Sequence, residues 1–133
     1  MINSSKIQEI VTATGHTFAD NASIYAESFP DGAGFLTGSI ASLAVIKNHA
    51  IHFGSEGLTI INLTVSGNLK KNEAPIFIPA SDIQSIRLHG GMLRANLDIA
   101  TAHGNFRYRV RRWVLAPGWH NKGYKFVKTH YTA

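Results

Sequence analysis

Hydrophobic and polar residues alternate most regularly between Leu93 and Arg111, and this pattern predicts a β-hairpin. Successive side chains of a strand point to opposite faces. The second strand has apolar and basic side chains on opposite faces: Phe106, Tyr108 and Val110 on one, Arg107, Arg109 and Arg111 on the other. The first strand has a matching apolar set, which is Leu93, Ala95, Leu97 and Ile99. The hairpin is therefore predicted to bury one face and to expose a row of cations on the other.

A turn centred on Ala102 and His103 fixes the pairing of this hairpin. It places three polar pairs across the two strands: Asp98 with Arg107, Asn96 with Arg109, and Arg94 with Arg111. Asp98 is the one acidic residue in the row, so the face is cationic, and we expect its residues to bind a partner. Lys70 and Lys71, in an earlier polar loop, are auxiliary candidates for the same surface.

Short apolar runs separated by turn residues continue through most of the chain. Pro30-Asp31-Gly32 and the reversal at Lys47-Asn48 are two of these turns. The runs predict strands at residues 23–29, 38–46, 49–53, 58–65 and 83–88, before the hairpin, and a short extended segment at residues 75–79. About seven strands with such short connections favour a closed or sandwiched antiparallel sheet over a βαβ arrangement.

Both ends of the chain predict helices. Ser5 and Gln8 fit a capping box, and the apolar residues that follow predict a helix over residues 5–14, ended by Gly15. Behind Pro117, six residues recur at helical spacing and predict a helix over residues 117–131: Trp119, Gly123, Phe126, Val127, His130 and Tyr131. With strands over residues 23–112 and no linker, we predict a single, mainly β domain over residues 1–133.

Charge is distributed unevenly along the 133 residues, whose formal net charge is +5. Residues 1–86 carry four lysines against seven acidic residues, a net charge of −3. Residues 87–133 carry six arginines and three lysines against Asp98 alone, a net charge of +8. This asymmetry is typical of proteins that meet an anionic surface, although a basic face that only keeps the protein in solution has the same composition.

Three segments resemble the bacterial pleckstrin-homology-like domains (the YokE-like, GRAM-related group). Residues 44–53 are similar to that group's "threonine-asparagine-basic-arginine-leucine-isoleucine-phenylalanine" hairpin, with Asn48 at the turn and Ile46 in place of threonine. Residues 78–86 are similar to its isoleucine-proline-tyrosine segment, with Ala80 in place of tyrosine. Residues 90–104 are similar to the glycine turn and hairpin that come next.

The resemblance covers roughly residues 5–130. It implies a pleckstrin-homology-like, seven-stranded antiparallel barrel or sandwich with a short N-terminal helix and a C-terminal capping helix. It also implies an interaction or membrane-proximal module without a catalytic centre. The loop over residues 30–38 lacks the basic residues of a phosphoinositide pocket, so the resemblance does not imply a pocket of that kind here.

Candidate catalytic and metal-binding residues are sparse. The absence of cysteine excludes thiol catalysis and thiolate metal sites. His49 and His52 are three residues apart in a predicted strand, so they point to opposite faces and do not share a metal ion. None of the eight acidic residues is paired at a spacing typical of acid–base catalysis. We therefore predict a non-enzymatic protein that requires no metal and no cofactor.

The basic strand face then predicts the partner. Sheet-based binders of single-stranded nucleic acid need aromatic and basic side chains on one face, whereas Phe106 and Tyr108 lie opposite the arginines, which disfavours nucleic acid. We predict an acidic protein partner or a second copy of the chain, with anionic membrane headgroups as the alternative. The N-terminus does not have the pattern of a signal peptide, so we expect a cytoplasmic location.

Overall fold

The computed structural model describes residues 1–28 and 48–131. Within these ranges, seven strands form one antiparallel sheet: β1 (Ser23–Ser28), β2 (Asn48–Phe53), β3 (Gly57–Leu63), β4 (Ile76–Pro79), β5 (Ile83–His89), β6 (Arg94–Thr101) and β7 (Gly104–Arg111). Their order across the sheet is β4-β3-β2-β1-β7-β6-β5. The mainly β class, with a helix near each end, is confirmed. The predicted strand over residues 38–46, the loop over residues 30–38 and Lys47 lie outside the described residues.

The hairpin of β6 and β7 has the register that the alternation predicted. Asp98 faces Arg107, Asn96 faces Arg109, and Arg94 faces Arg111. Buried and exposed positions alternate strictly along β7. One prediction for this region is wrong. The alternation predicts a buried Leu93, but β6 begins at Arg94, and Leu93 is 85% exposed in the preceding turn.

The main core forms on one face of the sheet, to which all seven strands contribute. Its buried residues include Ile24, Ile51, Ile60, Ile78, Leu88, Leu97 and Tyr108. Helix α2 (Gly118–Tyr131) closes this core by packing against β1 and β5. We call the other side of the sheet its outer face.

The buried side of α2 differs from the predicted one. Gly123 and Val127 are buried as predicted, but His120 and Tyr124 are buried with them, and His130 is exposed. Gly123 is needed because the helix approaches β1 closely. An added Cβ at this position would lie 1.7 Å from the carbonyl oxygen of Ser23.

Helix α1 (Ser4–Ala13) covers part of the outer face. Its buried residues Ile7 and Val11 pack with Ala50, Ile61 and Leu63 of β2 and β3. The helix is capped by Asn3, whose side chain accepts a hydrogen bond from the backbone N–H of Lys6 at 2.8 Å. The predicted capping box at Ser5 is therefore wrong.

The asparagine cap has a simple physical basis, because asparagine caps helix N-termini as well as serine does. In the part of the chain that the structure describes, the outer face of β5, β6 and β7 is left open, since no strand residue in the cluster around α1 belongs to these three strands. Among the described residues, neither helix is long and apolar enough to span a lipid bilayer.

Candidate binding surface

Five arginines point outward from the open part of the sheet, and we call this surface the arginine face. Its members are all exposed: Arg87 on β5, Arg94 on β6, and Arg107, Arg109 and Arg111 on β7. Asn96 is half-buried among them. Phe106 and Tyr108 are buried on the core side. The predicted separation of cationic and aromatic side chains on β7 is thus present in the structure.

One end of the arginine face is neutralised by Asp98. Its Oδ1 accepts a hydrogen bond from Arg107 Nε at 2.9 Å, and its Oδ2 lies 2.6 Å from His89 Nε2. Arg87 faces Asp98 across β5 and β6. The carboxylate therefore connects three strands and offsets part of the positive charge at this end.

The other end of the arginine face carries more uncompensated charge. Arg94 and Arg111 lie directly opposite each other, and like charges in this arrangement repel. Neither forms an ion pair with a carboxylate among the described residues. Arg109 differs from them, since it faces Glu27 across β1 and β7. The positive charge is therefore concentrated where Arg94 and Arg111 meet.

A group of exposed apolar side chains lies beyond this end of the sheet, and the sequence analysis missed it. We call it the apolar tip, with these members and exposed fractions: Met92 (91%), Leu93 (85%), Trp113 (66%) and Leu115 (87%). The first two belong to the β5–β6 turn and the other two follow β7. The two segments are adjacent, because the backbone N–H of Arg112 donates to the carbonyl of Leu93 at 3.3 Å. The sequence does contain a signal for the apolar tip. Met92 and Leu93 follow the Gly90-Gly91 turn directly, at a position where polar residues are more usual.

Side-chain hydrogen bonds hold both segments of the apolar tip in place. The Arg112 guanidinium donates to the carbonyl oxygens of Gly90 and Gly91. The Asn121 side chain of α2 accepts from the backbone N–H of Val114 at 2.8 Å and donates to its carbonyl at 2.7 Å. Gly91 has a φ of +68° and leaves no room for a Cβ beside the carbonyl of Arg94. The tip is therefore a built feature of the fold.

Lys70 and Lys71 do not join the arginine face. They follow β3, which is separated from β7 by β2 and β1 in the sheet. Lys70 Nζ lies 3.7 Å from Glu73 Oε2, and the Lys70 backbone N–H donates to the carbonyl of Asn62. These contacts keep Lys70 beside β3, away from the hairpin arginines.

Two buried histidines have structural hydrogen bonds at both ring nitrogens. His52 Nε2 accepts from the backbone N–H of Ala19 at 3.2 Å, and its Nδ1 lies 2.8 Å from Ser23 Oγ. Burial lowers the pKa of His52 to about 4. His120 Nδ1 accepts from the backbone N–H of Tyr25, and its Nε2 lies 2.7 Å from the carbonyl oxygen of Arg111. Burial also lowers the pKa of His120, so both rings are neutral near pH 7.

No group of metal-ligating side chains is present within residues 1–28 and 48–131. His49 and His52 lie on opposite faces of β2, as predicted: His49 packs edge-on against the core residue Tyr108, and His52 stacks on Phe18. A pocket of about 150 Å³ lies where Ser4, Phe18, Ser23 and Trp119 meet. The arginine face, with its five exposed cations, is the stronger candidate site.

Comparison with known proteins gives no matching family model and no matching curated protein.

Proposed function

We propose that this chain is a non-enzymatic binding module that holds an anionic partner surface on its arginine face. The observation that carries this proposal is the direct opposition of Arg94 and Arg111 across β6 and β7. Two cations in this position destabilise the hairpin unless a counter-charge is supplied. An anionic partner supplies it, so binding relieves a repulsion that the free protein retains.

The sequence gives two first candidates for the anionic surface: an acidic protein and a second copy of this chain, whose first 86 residues carry a net charge of −3. Anionic membrane headgroups are the alternative. We extend the proposal to a pleckstrin-homology-like identity and a cytoplasmic location. Support for this identity comes from the antiparallel sheet of seven described strands, which is followed by a C-terminal helix on its core.

The two buried histidines with hydrogen bonds at both ring nitrogens support the non-enzymatic part of the proposal. A general base needs a ring nitrogen available to a substrate. Both ring nitrogens of His52 and of His120 are already engaged within the fold.

The decisive experiment compares two double variants with the same change in charge. R94E/R111E reverses the uncompensated end of the arginine face, and K122E/K125E reverses two exposed lysines of α2. Fluorescence anisotropy with a labelled oligo-glutamate peptide and co-sedimentation with phosphatidylglycerol-containing vesicles measure binding. We expect R94E/R111E to weaken binding to at least one of these anions about tenfold or more, since each charge contributes about 1 kcal/mol near an anionic surface.

The control variant K122E/K125E is expected to retain most of the binding. Equal losses in the two variants would mean that total charge alone attracts anions, and the proposal would be wrong. A thermal melt completes the comparison. R94E/R111E exchanges one repulsive pair for another on an exposed face, so its melting temperature is expected to stay near that of the wild type.

A further inference from the structure

We infer that the anionic partner is a lipid bilayer surface and that the apolar tip inserts into it, an inference that rests on the proposed function. The tip and the uncompensated end of the arginine face are continuous along the chain. Arg94 directly follows Leu93, and Arg111 and Arg112 directly precede Trp113. Three arginines thus border the apolar side chains on the side where they join the sheet.

The charge at this border is available to headgroups. Arg94, Arg111 and Arg112 are exposed, and none forms an ion pair with a carboxylate among the described residues. Arg112 donates to backbone carbonyls, which position its guanidinium and leave its positive charge in place. Anionic headgroups attract basic side chains of this kind at the membrane surface.

The composition of the tip matches the bilayer interface. Tryptophan is enriched at the level of the headgroups, where its apolar ring and polar N–H are both accommodated. Leucine and methionine next to it supply the apolar surface that enters the acyl boundary. Arginine side chains at such a border keep their charge among the headgroups while their apolar stems lie along the inserted side chains.

The size of the patch argues against a second copy or another folded protein as the occupant. A stable protein interface takes about 20–30 residues from each side. The tip offers four exposed apolar side chains at the end of the sheet, on two adjacent segments. Four side chains on a rigid support are enough to anchor a protein in a bilayer when cations add to the attraction.

The hydrogen bonds behind the tip prepare it for insertion. Asn121 of α2 fixes the backbone of Val114, and Arg112 fixes the β5–β6 turn. A support that is already ordered loses little conformational freedom on binding. The exposed side chains are therefore presented without refolding of either segment.

The test uses the full chain and two variants of exposed apolar residues. L93S/W113S removes two members of the tip, and V65S changes an exposed valine (88%) in the loop after β3. Co-sedimentation is measured with vesicles of phosphatidylcholine alone and with vesicles that also contain phosphatidylglycerol, at low and physiological salt. We expect the wild type and V65S to bind only the anionic vesicles, and L93S/W113S to bind them at least about tenfold more weakly.

Fluorescence gives a second readout of insertion. The chain has two tryptophans, so a W119F variant retains Trp113 alone. Its emission is expected to shift to the blue with anionic vesicles and to be quenched by brominated acyl chains. An unchanged spectrum on vesicles that bind the protein would show that the tip stays in water, and the inference would be wrong.

The outcomes separate this inference from the proposed function. If L93S/W113S binds vesicles like the wild type, or if the wild type binds oligo-glutamate and no vesicles, insertion is wrong and the arginine face remains a binding surface. If R94E/R111E binds every anion like the wild type, the proposed function itself is wrong. L93S/W113S leaves every arginine of the arginine face in place, so it is expected to bind oligo-glutamate like the wild type.

Discussion

The imidazole of His120 accepts a hydrogen bond from the backbone N–H of Tyr25 at 2.9 Å, which joins α2 to β1 inside the sheet. The register of β1 and β7 pairs Glu27 with Arg109, so Tyr25 lies opposite Arg111. His120 also contacts the Arg111 carbonyl, at 2.7 Å. The His120 side chain therefore lies between Tyr25 and Arg111, which would otherwise pair directly. Its two hydrogen bonds take the place of a backbone pair between β1 and β7.

His120→Ala is expected to destabilise the protein by about 2–4 kcal/mol, because it removes a buried side chain, opens a cavity and leaves a part-buried N–H and a part-buried carbonyl without their partner. Denaturant unfolding monitored by circular dichroism measures the change. His130→Ala, on the exposed side of the same helix, is the matched control and is expected to change stability by less than about 1 kcal/mol. Equal effects of the two variants would contradict a bridging role for His120.

Gly123 is expected to be intolerant of even a methyl group, whereas Gly118 is not. An added Cβ at Gly123 would lie 1.7 Å from the Ser23 carbonyl oxygen, and at Gly118 it would meet nothing within 4 Å. Gly123→Ala should therefore cost about 2 kcal/mol or more, since α2 must move away from β1. Gly118→Ala should be neutral or stabilising by up to about 1 kcal/mol, because alanine is the better helix former. The melting temperatures of the two variants and the wild type test this difference.

The hairpin of β6 and β7 could be predicted from the sequence in detail, because one of its faces is buried. A shift by one residue would bring Arg107 and Arg109 into the core, so the alternation fixes the register without further information. Four arginines of the arginine face follow from the same parity: Arg94, Arg107, Arg109 and Arg111. Arg87 was not predicted, because it joins them only through the pairing of β5 with β6.

The apolar tip and the buried side of α2 could not be predicted in the same way. The alternation of apolar and polar residues predicts a buried Leu93. Its exposure results from the start of β6 at Arg94, directly after the turn that contains Gly90 and Gly91. The burial of His120 depends on a hydrogen bond to Tyr25, 95 residues away in the chain. Periodicity carries no information on contacts of this range.

The stability of the fold is expected to fall between pH 6.5 and about pH 4, with His52 as one cause. Burial lowers the pKa of His52 from 6.5 to about 4, so the unfolded state binds the proton more readily than the folded state does. The contribution of His52 is full above pH 6.5 and is lost as the pH falls toward 4, by on the order of 2 kcal/mol.

His52→Gln isolates this contribution. The glutamine amide does not titrate, and its oxygen can accept the hydrogen bond from the Ala19 N–H in place of Nε2. Stability of the two proteins is measured by urea unfolding at several pH values from 4 to 7. The variant is expected to lose less stability on acidification than the wild type. Parallel pH profiles would show that protonation of His52 does not drive the loss.

Asp98→Asn is expected to strengthen binding to anionic vesicles, because Asp98 is the carboxylate that pairs with Arg107 on the arginine face. Removing one negative charge near the membrane surface is worth about 1 kcal/mol, or about fivefold in affinity. The lost contacts to Arg107 and His89 are part-exposed, so stability should fall by no more than about 1 kcal/mol. Co-sedimentation at low and physiological salt measures the affinity.

Glu73→Gln is the matched control, since it also removes a carboxylate from an ion pair, with Lys70 beside β3. It changes the net charge equally but lies away from the arginine face, so its effect on vesicle binding should be small. A gain for Asp98→Asn alone places the bound lipid against β6 and β7. Equal gains in both variants would mean that net charge governs binding, and weaker binding by Asp98→Asn would mean that Asp98 acts by positioning Arg107 for the headgroups.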